Sequence, residues 1–246
     1  MTPPTSLPAA VRAQPPLAGA APDVRRAERT RPRPTWRRAV EEWERLEPRG
    51  AYARLGRGPF LLAMTLLLLG PALALTLPIA LVNLVVHRSA RRVFFRQTRV
   101  GRRGALFVLY KFRTLVDRPG DDQSRATRFG RFLRNTHLDE LPQLWNVLRG
   151  EMCLIGPRPE MVPTERWAAE HCPGFAERLV LSPGLTGLAQ VTQGYTEGGD
   201  GEAYRRKLEL NREYLATLSF GRDCALLART ALWVLRGRGW RRAPRA

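Results

Sequence analysis

Residues 59–86, PFLLAMTLLLLGPALALTLPIALVNLVV, run for twenty-eight positions without a charge. As a straight helix at 1.5 Å per residue the run would be about 42 Å long, against the roughly 30 Å hydrocarbon core of a bilayer. A soluble core helix of this length and uniformity is disfavoured. Two membrane forms are open: a tilted span, or a helix that enters, breaks and returns.

The breakers and the flanks bear on that choice. Gly70-Pro71 and Pro78 interrupt the run, and proline lacks a backbone donor and clashes with the turn before it. Arg49, Arg54 and Arg57 precede the run, and Arg88, Arg91, Arg92 and Arg96 follow it. A span would place one basic flank outside, whereas a hairpin keeps both flanks cytoplasmic. The expectation is a re-entrant helix-break-helix. Its break falls at Gly70 and Pro71 or at Pro78, and Thr65, Thr76 and Asn83 are candidates to satisfy the freed backbone groups.

Charge sharpens this reading. The chain carries 41 basic against 22 acidic residues, a net charge of +19. No acid lies between Glu47 and Asp117, while residues 59–115 hold nine basic groups. Such an excess suits a polyanion: nucleic acid, an acidic membrane surface or a phosphorylated substrate. No nucleic-acid-binding motif is present. An apolar fraction of 44% excludes a wholly disordered chain. Cys153, Cys172 and Cys224 are odd in number and far apart, which fits a reducing compartment and argues against a disulfide framework or zinc site. His87, His137 and His171 lack metal-ligand spacing.

Five segments are expected. Residues 1–34 form a disordered Pro/Arg/Ala-rich tail with no signal-peptide pattern. Residues 35–58 hold a short amphipathic helix, capped by Thr35 and bearing Trp36 and Trp43, and a linker. Residues 59–88 are the membrane helix, 89–240 a cytoplasmic catalytic domain, and 241–246 a basic tail. Within the domain, VFFRQTRVGRRGALFVLYKFRT (93–114) has two β-prone runs around a Gly-Arg-Arg-Gly turn, a hairpin signal. Residues 116–127 read as a flexible loop. Residues 128–150 read as a broken helix with Pro142 near a start and Gly150 as a cap. A second reading makes Thr136 and Asp139 a capping box and puts Pro142 inside the helix. Residues 202–219 suggest a polar helix, and 222–236 a helix lying on the membrane or against the re-entrant segment. The fold class is α+β, mainly α.

Three features carry chemistry. Asp139-Glu140 would sit just before a helix start, where adjacent carboxylates can hold Mg2+ on phosphates or attack phosphorus; helix capping and a surface salt bridge are the plainer reading. In Gly156-Pro157-Arg158-Pro159, two prolines fix an arginine that either grips a phosphate or points to solvent. Lys111 and Arg113 alternate with Phe112 and so share one face, suited to a phosphate site or to lipid headgroups.

In order along the chain stand the apolar segment, VFFRQTRVG (93–101), YKFRT (110–114), LDELPQLWNVLRGEMCLIGPRPE (138–160), SPGLTGLAQV (182–191) and ALWVLRGRG (231–239). Together they resemble the bacterial sugar transferases, the monotopic phosphoglycosyl transferases, over roughly three quarters of the chain. The resemblance implies a re-entrant membrane helix with both ends cytoplasmic, at the bacterial inner membrane. It implies transfer of a phosphosugar from a nucleotide diphosphosugar, a UDP-sugar, to polyprenol phosphate such as undecaprenyl phosphate, with release of UMP and entry into exopolysaccharide or other cell-surface glycan assembly. Asp139 would be the nucleophile and Glu140 its helper in metal binding or proton handling, both holding Mg2+. Lys111, Arg113 and Arg158 would bind substrate phosphate, and Gly156, Pro157, Pro159 and Gln190 would support the site. Partners would be the two substrates and inner-membrane lipid, with no nucleic acid; the Trp-bearing helices suit a homodimer. His137 and Cys153 stand where the family commonly has serine, the family's Ser-Pro break is absent, and 190–204 matches poorly. The competing readings are a basic scaffold or nucleic-acid-binding membrane protein without catalysis, and an enzyme using the same lipid without a covalent intermediate.

Overall fold

The computed structural model describes residues 46–118, 121–194 and 199–236. The expected N-terminal tail, nearly all of the Trp-bearing helix and the C-terminal basic tail lie outside the described residues.

The apolar run forms one helix, α1 (Arg57–His87), led in by a π-helical turn at Tyr52–Gly56. Pro71 and Pro78 both lie inside it. The expected break is therefore not an interruption of the helix. Each proline removes one donor, and the remaining i→i−4 bonds carry the helix past it. Thr65 and Thr76 do not serve the carbonyls freed four residues before the prolines. Their hydroxyls donate to Leu61 O and Ala72 O within the same helix, each at 2.7 Å. Asn83 instead makes tertiary bonds.

One stripe of α1 is covered by protein: Arg57, Leu61, Thr65, Ala72, Ile79, Asn83 and His87. Between these, Leu62, Leu66, Leu67, Leu73, Leu77, Leu81 and Val85 are exposed. So large an exposed apolar surface marks a protein–protein or membrane contact face. With Tyr52–Gly56 it makes one helix of 36 residues, long and apolar enough to cross a membrane.

Both ends of α1 are fastened to one body. At its start, Arg57 Nε donates to Asp223 Oδ2 at 3.1 Å, and Nη2 donates to Ile155 O and to the Tyr214 hydroxyl. Tyr52 and Tyr214 donate to the two oxygens of the same buried Asp223. At its end, Asn83 Nδ2 donates to Val93 O and Arg113 O, and His87 Nε2 lies 3.2 Å from Arg113 O.

The body is mainly helical with three two-stranded sheets among the described residues. The expected hairpin is β1 (Phe94–Val100) antiparallel to β2 (Leu106–Phe112), with Phe94 opposite and stacked on Phe112. The loop expected at 116–127 is corrected. It forms a second hairpin, β3 (Leu115–Arg118) with β4 (Asp121–Ala126), pairing Leu115 with Ala126 and Val116 with Arg125. Backbone pairing holds it, and the polar composition conceals that.

Next come α2 (Arg128–Thr136) and α3 (Gln143–Leu148). Pro142 is the N-cap of α3 and Gly150 follows with φ +72°, so the broken-helix reading holds. Thr136 is no capping box, because its hydroxyl donates back to Phe132 O. Then follow β5 (Cys153–Ile155), α4 (Val162–His171), a 3-10 turn at Phe175–Val180, β6 (Gly184–Thr186), α5 (Leu188–Gln193), α6 (Gly201–Ala216) and α7 (Phe220–Leu235). β5 and β6 pair in parallel. The main core joins Leu61 and Ala72 of α1 to Leu154, Ile155, Leu188, Tyr214 and Leu226. A second cluster joins Ile79 to Val93, Phe112 and Leu133.

Candidate active site

The end of β2 and the start of α2 are forced together. Thr127 caps α2, its Oγ1 accepting from Gly130 N at 2.7 Å. A Cβ on Gly130 would sit 2.1 Å from Thr114 O, so glycine alone allows the approach. α2 ends at His137, which turns left-handed at φ 58° and starts a 3-10 turn, Leu138–Glu140. The His137 ring stands 4.5 Å from the ring of Trp233 on α7. This sequence of turns delivers Asp139 and Glu140 to Lys111 of β2.

The two carboxyl groups are each 6% exposed but are held differently. Glu140 Oε1 accepts from Lys111 Nζ and lies 3.5 Å from Arg158 Nη2. Asp139 Oδ2 is 4.0 Å from Lys111 Nζ, and Asp139 Oδ1 is buried with no hydrogen-bond partner. Burial pushes both groups up. For Glu140, Lys111 and Arg158 outweigh it and hold the carboxyl below the usual range. For Asp139, burial and the Glu140 charge outweigh Lys111, and the group rises. Burial likewise pushes Lys111 down against the pull of Glu140. Adjacent acids with proton affinities driven apart suit different tasks: an anchored anion and a more basic, less encumbered oxygen.

Arg158 arrives on the loop 156–160, which is joined to β6. Gly156 N donates to Thr186 O at 2.8 Å and Gly184 N to Pro157 O at 2.9 Å. The backbones meet so closely that a Cβ on Gly156 would lie 2.3 Å from Ser182 O. Gln190 Nε2 is 3.5 Å from Gly156 O and from Gly184 O, at the limit of a hydrogen bond.

Lys111, Asp139, Glu140 and Arg158 thus converge, with Gly156, Pro157, Pro159 and Gln190 behind Arg158. Arg113 lies one residue beyond β2, where its amide donates to Val93 O at 3.0 Å. Its backbone serves α1, and none of the described contacts of the two carboxylates involves it.

An apolar cleft of about 310 Å³ reaches two of the four groups, Glu140 and Arg158. Leu68, Pro71 and Leu75 of α1 and Leu227 and Trp233 of α7 line it, with Glu140 and Arg158 in the same wall. Of the three break candidates, Gly70, Pro71 and Pro78, Pro71 lines the cleft. Sequence reasoning missed Arg134, whose charge bears on Asp139, and Trp233. The i, i+3 arginines of α2 were a signal for the first. The second is a contact between residues 96 apart and left none.

A divalent cation fits this donor set. Among the described residues no three His, Cys, Asp or Glu side chains converge. Two carboxylates, one with a free buried oxygen, suit Mg2+, which takes one or two carboxylates and completes its shell with water and substrate phosphate.

A bacterial sugar transferase family model matches residues 60–237. The UDP-glucose:undecaprenyl-phosphate glucose-1-phosphate transferase of Caulobacter vibrioides is 44% identical over 55% of this chain and 54% of its own length. The UDP-N-acetylgalactosamine-undecaprenyl-phosphate N-acetylgalactosaminephosphotransferase of Aeromonas hydrophila is 34% identical over 80% of this chain and 47% of its own. The undecaprenyl-phosphate galactose phosphotransferase of Salmonella typhimurium is 35% identical over 63% of this chain and 36% of its own. The matched region spans about half or less of these relatives.

Proposed function

The chain belongs to the bacterial sugar transferase family, and on that footing we propose that it transfers a phosphosugar from a UDP-sugar to undecaprenyl phosphate. UMP is released, and the product starts a cell-surface glycan such as an exopolysaccharide. The observation that carries this reading is the split pair: Glu140 anchored by Lys111 and Arg158 in the wall of an apolar cleft that α1 also lines, and Asp139 next to it in the chain with a buried oxygen left free.

The chemistry takes two displacements. An Asp139 carboxylate oxygen forms a bond to the β-phosphorus, and the bond from that phosphorus to the bridging oxygen breaks. UMP leaves with the bridging oxygen and its electron pair. A phosphate oxygen of the polyprenol phosphate then attacks the same phosphorus, and the Asp139–phosphorus bond breaks, restoring the carboxylate. Arg158 and Lys111 hold the charge of the diphosphate, and their fixed positions cost no reorganisation at the moment of reaction. Asp139 and Glu140 would hold Mg2+, which would neutralise charge on the diphosphate. The cleft takes the first isoprene units, keeping the lipid phosphate near Asp139.

The same structure favours a re-entrant α1 with both ends on the cytoplasmic face. Arg57 and His87 each bond to the one body, and Ala72 between them packs on it as well. A crossing helix would carry one end about 30 Å from a body on the other side.

The test uses protein in nanodiscs with a panel of UDP-sugars, undecaprenyl phosphate and Mg2+. The relatives' names cover glucose, galactose and N-acetylgalactosamine, so the panel includes all three. UMP release that Asp139→Asn abolishes in a folded protein supports the reading. UDP release, or activity indifferent to that substitution, overturns it. The scaffold alternative predicts no nucleotide release.

A further inference from the structure

Arg158 stands between two prolines, so the loop around it offers few amide donors while its carbonyls still need partners. Each carbonyl from Pro157 to Glu160 has one, from three places in the fold: β6, the Phe175–Val180 turn and β1. Pro157 O accepts from Gly184 N and Glu160 O from Val100 N, at 2.9 and 3.0 Å. Arg158 O accepts from Arg178 Nη1 at 3.0 Å, and Pro159 O from Arg99 Nη1 at 3.2 Å. The Glu160 carboxylate is bound by Lys207 Nζ at 2.9 Å. Three successive residues, 158 to 160, are therefore each gripped by a different cation, from the Phe175–Val180 turn, β1 and α6.

Arg178 is the centre of this arrangement. Its side chain is 1% exposed, lies 4.3 Å over the Phe175 ring, and pairs with the buried carboxylate of Glu165. A guanidinium is costly to bury for stability alone; replacing a buried pair by apolar residues is often neutral. The planar fork does what an apolar residue cannot: it binds the Glu165 carboxylate and the Arg158 carbonyl at once.

We propose that Arg178, held by Glu165, is a positioning residue that fixes the Arg158 backbone so that the Arg158 guanidinium is aimed at the diphosphate of the substrate; Arg99 and the Lys207–Glu160 pair extend the same clamp. This rests on the transferase reading for its ligand, not for its geometry. Arg178 touches no substrate and acts through Arg158.

A double-mutant cycle with protein in nanodiscs separates positioning from general support. The paired variant Arg178→Gln/Glu165→Gln leaves no orphaned charge, and Arg178→Lys is the conservative control. In the wild-type background the paired variant lowers kcat/KM for the UDP-sugar about tenfold, the worth of one charge-assisted hydrogen bond. The KM for undecaprenyl phosphate stays within about twofold. Arg178→Lys recovers part of the loss. In an Arg158→Ala background the paired variant costs nothing further. Equal losses in both backgrounds, or a loss shared by the lipid substrate, overturn the proposal.

An arm independent of activity uses hydrogen–deuterium exchange. The Gly184 and Val100 amides, which donate to Pro157 O and Glu160 O, exchange at least about tenfold faster in the paired variant, while the amides of α1 are unchanged. Unchanged exchange at 100 and 184 overturns the clamp even in an active enzyme. Failure of the transferase reading shows separately, as a wild-type protein that releases no UMP.

Discussion

Replacing Lys111 with methionine removes the cation that Glu140 and Asp139 share. Methionine keeps most of the volume, so packing changes little, and the cost is electrostatic. Both carboxyl groups and the Lys111 ammonium are buried, with side-chain exposures of 8, 8 and 15%. Removing one partner of a buried pair typically costs about 3–5 kcal/mol. That cost depends on pH. In the wild-type protein Glu140 is held below its ordinary value of 4.5. It therefore contributes stability that is present above the unfolded value and is lost as pH falls through the folded one. Without Lys111, burial dominates and raises Glu140 above its unfolded value. The variant then loses stability as pH rises, because it must ionise a buried pair. The difference between wild type and Lys111→Met should thus be about 3–5 kcal/mol at pH 8 and should shrink towards pH 5, where the variant takes up protons. Unfolding followed by tryptophan fluorescence in detergent at the two pH values reads this directly. A difference of roughly 2–4 °C per kcal/mol is expected in Tm. A penalty equal at both pH values, or larger at pH 5, would refute the shared-cation account of the site.

Three further outcomes follow from the same contacts. Because burial pushes Asp139 up to about 6, kcat/KM for the nucleotide sugar should fall about tenfold per unit as pH drops below that value; a flat profile down to pH 4.5 would contradict the role given to Asp139. Arg57→Met leaves Asp223 buried and unpaired beneath α1 and should cost about 3–5 kcal/mol in thermal unfolding, while Arg57→Met with Asp223→Asn should recover most of it; no recovery would show that Arg57 acts by packing alone. In a background with Cys153, Cys172 and Cys224 replaced by serine, single cysteines at Gly50 and Ser89 should both react with an impermeant maleimide only from the cytoplasmic side, and labelling from opposite sides would make α1 a span.

Much of this arrangement was legible before the structure. The uncharged run announced α1, a helix long and apolar enough to cross a membrane. The Gly-Arg-Arg-Gly turn marked the first hairpin, and Pro142 and Gly150 bracketed α3 through their fixed backbone preferences. Lys111, Asp139, Glu140 and Arg158 were each nameable from local pattern or family motif. Other features were hidden for physical reasons. The β3–β4 hairpin is held by backbone bonds, which a polar composition does not advertise. Helix α1 runs through its prolines because one missing donor in a long helix is tolerated. The clamp on Arg158 joins Arg99, Glu165, Arg178 and Lys207 across more than a hundred residues of chain, and such pairings follow from tertiary packing alone.

The central claim is that Asp139 becomes covalently loaded with phosphosugar. Intact-mass spectrometry of the protein mixed with its UDP-sugar and Mg2+, without polyprenol phosphate, tests it most directly. The prediction is a mass gain of one phosphosugar with stoichiometric UMP, mapped to the peptide bearing Asp139, lost in Asp139→Asn and discharged by added undecaprenyl phosphate. Turnover with UDP as the leaving product, or UMP release from a chain that never gains that mass, would contradict it.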